Sequence, residues 1–151
     1  MADDRWRVFL DTSVLISGTI SRTGGSATIL DLGEAEEILV VVSRQVLTEA
    51  DRVFSAKFPE FARRFREFLR NLAPLEVEDP SSEAVREAAE VIIHPDDAPI
   101  LAAARSSSLD YLVTLDARHF KTPQVRAYLS IPVVSPGEFL AAFRTFWEER
   151  E

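Results

Sequence analysis

The sequence predicts an α/β protein: a three-layer α/β/α sandwich with a central, mainly parallel sheet. Short branched apolar runs recur along the 151 residues, and the segments between them carry the helical period. The runs are continuous rather than alternating, as expected of strands covered on both faces. Strand and helix in alternation then place helices on either side of one parallel sheet.

Taken in order, the strands are "RVFL" (Arg7–Leu10), "ILVVV" (Ile38–Val42), "LEV" (Leu75–Val77), "YLVTL" (Tyr111–Leu115) and "IPVV" (Ile131–Val134). After the second strand, Val46, Leu47, Ala50, Val53 and Phe54 mark one face of a helix. Phe61, Phe65, Phe68, Leu69 and Leu72 mark the next. Further helices read at "PSSEAVREAAEVI", "DDAPILAAARSSS" and "PGEFLAAFRTFWEE", most of them opened by proline or an acid. The small-residue segment Ser17–Ser26 reads as a mobile lip carrying Arg22 towards a substrate, or as a loop feeding the next helix. With no linker, repeat or low-complexity tract, residues 1–151 are expected to form a single domain.

Composition narrows the setting. There is no cysteine, which removes disulfides and thiolate metal sites and fits a reducing compartment. "ILVVV" falls far short of the ~20 residues of a membrane span, and the charged start "MADDRWR" lacks a signal-peptide core. A cytoplasmic protein without membrane contact is expected. The net charge of −8 argues against a generic nucleic-acid coat but not against a nuclease. Four carboxylates round a divalent cation would account for half of it.

Acids stand where such a site would form. In an open parallel sheet, functional groups collect at the carboxyl ends of the strands. Asp11 follows the first strand directly and Asp116 follows "YLVTL", so the two share a crevice if those strands are neighbours. Asp97 tops the stripe of Ile100, Leu101 and Ala104, while Asp96 points away and reads as the helix N-cap. Glu49 comes one turn into the helix after the second strand. Each alone also reads blandly, as a turn, a cap or a solvated helix residue. Gathered together they raise at least one pKa and cost stability unless a cation joins them. Oxygen ligands without clustered histidine or cysteine suit Mg²⁺ or Mn²⁺, and such sites hydrolyse phosphate esters by in-line displacement.

The order "VFLDTSVLIS", "VSRQVLTEADRVF", "DDAPILAAA", "DYLVTLDARHF" resembles the PIN-domain nucleases over roughly Arg7 to Phe139, most closely their VapC-like toxin branch. The first motif and the last two are specific; the glutamate motif alone is weak. The resemblance puts the family's acidic tetrad, catalytic and metal-binding, on Asp11, Glu49, Asp97 and Asp116. The small hydroxyl after the first acid falls on Thr12 or Ser13, and the threonine before the last acid on Thr114. The chain departs from its relatives at Ala50, and a second acid, Asp51, lies close to Glu49. The resemblance implies Mg²⁺- or Mn²⁺-dependent cleavage of single-stranded RNA, a homodimer, and a small antitoxin protein that covers the metal site.

Ser13, Thr114, Arg22 and Arg118 are the candidate substrate contacts. Arg63, Arg64, Arg66 and Arg70 share a helix with Phe61, Phe65 and Phe68, as a solvated face or as an RNA or antitoxin contact. Phe139, Leu140, Phe143, Phe146 and Trp147 form a core stripe whose last two members could meet a second copy. His94 and His119 lie far apart, fit no ligand spacing and read as ordinary. Competing readings are a catalytically weak PIN-fold module that binds RNA or protein, an aspartyl phosphatase, and a response-regulator receiver. The phosphatase needs a second aspartate where Ser13 stands. The receiver needs an acidic pair after the first strand and a lysine after a late one, and here Lys121 comes five residues past Asp116.

Overall fold

In the computed structural model, residues 3–150 are described. Five parallel strands form one sheet: β1 (Trp6–Leu10), β2 (Ile38–Ser43), β3 (Leu75–Val77), β4 (Tyr111–Val113) and β5 (Val133–Val134). Their order is β3-β2-β1-β4-β5. The chain winds from β1 to one edge and returns to build the other, so the order reverses between β1 and β4. In an open parallel sheet that reversal is where a crevice forms, outside the carboxyl ends of the strands. Val8 lies opposite Tyr111 and Leu10 opposite Val113, which brings Asp11 level with Thr114.

Helices cover the sheet: α1 (Thr12–Ile20), α2 (Gly25–Glu34), α3 (Arg44–Lys57), α4 (Ala62–Leu72), α5 (Ser82–Ala89), α6 (Ala98–Ser106), α7 (Ala117–Phe120), α8 (Pro123–Tyr128) and α9 (Pro136–Arg150). Val8, Phe9 and Leu10 on β1 are all buried, as are Val40, Val41 and Val42 on β2. That two-sided burial is what their unbroken apolar runs indicated, and the α/β/α sandwich is as expected. Each fully buried Leu, Val or Phe contributes about 1.5–3 kcal/mol through removal from water. Among the described residues no helix is long and apolar enough to cross a membrane.

The segment Ser17–Ser26 is not a lip. It comprises the end of α1, a short turn and the start of α2. The hydrophobic periodicity that reveals amphipathic helices is missing from α1, because its buried positions include Thr12, Gly18 and Thr19 while Ile16 and Ile20 lie on its partly exposed side. Tertiary burial rather than propensity forms this helix. Gly18 lets α1 and α2 approach closely: a Cβ there would lie 2.6 Å from Leu30 Cδ1 and 3.0 Å from the Ser26 carbonyl, so a side chain would have to push both aside. Arg22 lies beyond the C-terminal end of α1, opposite the end that carries Asp11. It pairs with Asp31 at 2.8 Å and stacks 4.6 Å from the Phe68 ring centre, tying α1, α2 and α4 together.

The arginines of helix α4 are exposed, while its phenylalanine face packs inward. Phe65 stacks on Phe54 at 4.7 Å, and Arg64 donates to the Thr19 carbonyl. Helix α6 starts at Ala98, after a 3₁₀ turn over Pro95–Asp97, which moves its N-cap from Asp96 to Asp97. Pro99 sits in the first helical turn, where its missing N–H costs nothing.

Candidate active site

Asp11 stands at the base of the crevice. It leaves β1 and occupies the N-cap position of α1 in extended backbone, yet its side chain makes no cap bond to that helix. Its amide donates to the Val113 carbonyl of β4. Its carboxylate is buried and faces hydroxyls: Thr114 Oγ1 donates to Oδ2 at 2.6 Å and Ser13 Oγ at 3.2 Å. These hydroxyls are themselves held. Ser13 Oγ accepts from the Leu115 amide and Thr114 Oγ1 from the Asp116 amide, so each is ordered as both donor and acceptor. The two expected substrate contacts, Ser13 and Thr114, therefore act on Asp11 and lock α1 to the end of β4.

Glu49 reaches the crevice from α3. Thr12 Oγ1 donates to its Oε2 at 2.9 Å, which attaches α3 to the start of α1. Both hydroxyls after the first acid thus have separate tasks, Thr12 on Glu49 and Ser13 on Asp11. Asp51 is exposed, whereas Glu49 is tied to Thr12 and acts on the Asp11 carboxyl. Asp97, half-buried, comes from the N-terminus of α6, and Asp116, exposed, from that of α7. Neither caps its helix.

The charges interact. Burial pushes the Asp11 carboxyl above its ordinary value and the Glu49 carboxylate adds to this, against the opposing hydrogen bonds from Thr114, the Thr12 amide and Ser13. Burial also raises Asp97, helped by Asp11 and Asp116 and opposed by His94 and His119. Among the described residues no arginine or lysine forms an ion pair with any of these acids. Nor do three or more such side chains close unaided on one cation-sized point. An all-oxygen set in which Asp11 and Asp97 are raised by burial and by neighbouring acids nevertheless suits a hard divalent ion, whose charge removes the repulsion.

Arg118, next but one after Asp116, is exposed and has no ion pair among the described residues. Lys121 is turned away, bound to both Glu138 carboxylate oxygens at 2.9 Å, and so offers no cation to Asp11 as a receiver domain would require. The serine that replaces the phosphatase's second aspartate is already engaged.

Two residues read as ordinary are brought together here. The His94 and His119 rings lie 4.5 Å apart at 46°. The Asp97 amide donates to the His94 carbonyl and the His119 amide to the Asp116 carbonyl. The signal in the sequence was the spacing: histidine three residues before one acid and three after another.

Comparison with known proteins agrees with the architecture. A family model described as PIN domain matches residues 7–118. The crystal structure of PAE2754 from Pyrobaculum aerophilum superposes with a TM-score of 0.64 at 16% identity, over 95% of this chain and 99% of that one. VapBC2 from Rickettsia felis, bound to a DNA fragment from their promoter, gives 0.62 at 17% identity, over 85% and 98%. FitAcB from Neisseria gonorrhoeae gives 0.55 at 21%, over 85% and 97%. No curated protein matches significantly. The matched span runs from β1 through Asp116 and so includes every acid of the crevice; the chain belongs to the PIN-domain family.

Proposed function

We propose that this protein is a metal-dependent endoribonuclease acting on single-stranded RNA, and the toxin of a toxin–antitoxin pair. The observation that carries the reading is the unneutralised cluster at the β1/β4 switch point, with Asp11 and Asp97 both raised by burial and by neighbouring acids. Asp11, Asp97 and Asp116 would hold the ion, with Glu49 completing the set. Bound there, Mg²⁺ or Mn²⁺ supplies the positive charge that activates water and stabilises the oxygens of an in-line phosphodiester displacement.

The chain's own residues do the positioning. Thr114 and Ser13 fix the direction in which Asp11 presents its carboxylate. Thr12 holds Oε2 of Glu49, leaving its other oxygen to orient a water. Arg118, exposed at the lip, meets a flanking phosphate. A duplex would press a second line of phosphates on a chain of net charge −8, whereas one flexible strand presents a single phosphate to the acids.

Labelled single-stranded RNA and its duplex, incubated with the purified chain in EDTA and in Mg²⁺ or Mn²⁺, test this. Cleavage of the single strand alone, only with metal, and falling steeply with salt is expected. Equal cleavage of both substrates overturns the strand preference. Binding without cleavage in any metal leaves the weak PIN-fold binding module. The motif order of the VapC-like toxins and the likeness to VapBC2 support a small antitoxin partner, and a short reading frame upstream encoding a DNA-binding protein is the expected source. A homodimer is also part of this reading, with the exposed Trp147 end of α9 as a contact.

A further inference from the structure

We infer that His94 and His119 form a platform on which one nucleobase of the single-stranded substrate stacks beside the scissile phosphate. The inference rests on the reading of the crevice as a nuclease site and adds the part that handles the base. Its first support is the ring pair itself, 4.5 Å between centroids, drawn from two different connections of the fold. His119 is half-buried and His94 exposed, so His94 is the ring of the pair more open to a base, with His119 packed against it.

The second support is exposed apolar surface. Ile93 is 68% exposed and Leu115 50%, the two most exposed large apolar side chains among the described residues. Ile93 adjoins His94, and the amide of Leu115 is held by Ser13, whose hydroxyl also donates to Asp11. The third is position. The backbones of His94 and His119 are hydrogen-bonded to those of Asp97 and Asp116, and both imidazoles lie close enough to the Asp97 carboxyl to act on it. Phosphate between the acids, base against the imidazole face and Leu115, and Arg118 near the next phosphate together accommodate one nucleotide. Single-stranded RNA is recognised in this way by aromatic and histidine faces.

Short single-stranded RNAs carrying 2-aminopurine at successive positions, titrated in Ca²⁺ and in EDTA, read binding and stacking without turnover. With wild-type protein, fluorescence should be quenched at one position. His94→Ala should abolish that quench and weaken binding roughly tenfold, the scale of losing one stacked base. His94→Phe should restore both, and His119→Ala should weaken both. An oligonucleotide abasic at that position should bind wild type as poorly as the intact one binds His94→Ala, with no further loss when the two are combined. Unchanged quench and affinity in His94→Ala, or a His94→Phe variant as poor as the alanine, overturns the platform. A position-specific, His94-dependent quench without cleavage in any metal keeps the platform and overturns the nuclease. Metal-dependent cleavage with an unchanged KM in His94→Ala does the reverse.

Discussion

The two ends of β1 are built on opposite terms. At its start, Trp6 is surrounded by rings: Tyr111 at 4.9 Å, Phe146 at 4.6 Å, Phe143 at 5.5 Å and Phe139 at 6.0 Å. Just past its end, Asp11 is buried among hydroxyls and other acids. The first end gains stability from each ring it removes from water, and the second gathers charges that repel. Helix caps show the same division. Ser43, Ser81 and Thr122 sit at N-caps and accept from Val46, Ala84 and Val125 of their own helices. Asp11, Asp97 and Asp116 sit at N-caps too, and none caps. Aspartate caps as well as serine does, for about 1 kcal/mol. Three carboxylates that forgo this have been directed into the crevice instead. Stability lost at one end of the sheet is offset by the other.

The comparison breaks first at the aromatic end. Phe139, fully buried, touches Trp6, Tyr111 and Phe143. Phe139→Ala should cost about 3–5 kcal/mol, through lost transfer energy and the cavity left behind. In denaturant melts the midpoint should drop accordingly, while RNA cleavage per folded molecule stays at the wild-type level. A folded variant that has lost cleavage would show that the two ends are coupled.

At the acidic end the effects should fall on activity. Asp11→Asn keeps the shape and removes the charge, so kcat/KM should fall at least about a hundredfold with the fold intact. Full activity, with host nucleases excluded, would falsify the role given to Asp11. Thr114→Val removes the 2.6 Å bond to Asp11 and the acceptor for the Asp116 amide, for a loss of roughly tenfold. Because that bond favours the charged carboxylate, its loss should also move the acidic limb of the pH–rate profile to higher pH.

Much of the acidic end was legible in the sequence because strand ends and helix starts are local features. "VFLD" and "VTLD" announce carboxylates at the tips of buried strands, and the β1–β4 pairing that joins them is a property of the sheet order. What escaped notice depends on tertiary contact. Helix α1 lacks a polar face, so periodicity passes over it, and Gly18 reads as loop composition until Leu30 is found against it. Arg22 resembled a phosphate contact from its sequence neighbourhood, but the length of α1 carries it to the other end. The His94–His119 pair joins two connections that only the folded sheet brings together.

The smallest effect separates charge repulsion from every other cost at the acidic end. Asp11 and Asp97 titrate above their ordinary value in the native state. Between their unfolded and native pKa values the native state therefore holds more protons, so stability falls as pH rises through that window and stays lower above it. Asp3 and Glu138, held down to about 2 by Arg5 and Lys121, act in the opposite sense, giving stability that is lost as pH falls through their native values. They are common to wild type and variant and cancel in a difference. In EDTA, Asp97→Asn should thus match the wild-type melting temperature at about pH 3 and exceed it by a few degrees near pH 7, about 2–4 °C for each kcal/mol in a domain of this size. Millimolar Mg²⁺ or Mn²⁺ should reverse the order, raising the wild type by mass action and the variant less. A variant advantage that is independent of pH would place the cost in packing rather than charge. Wild-type melting unmoved by either ion would mean that the acids repel one another without a cation to bind.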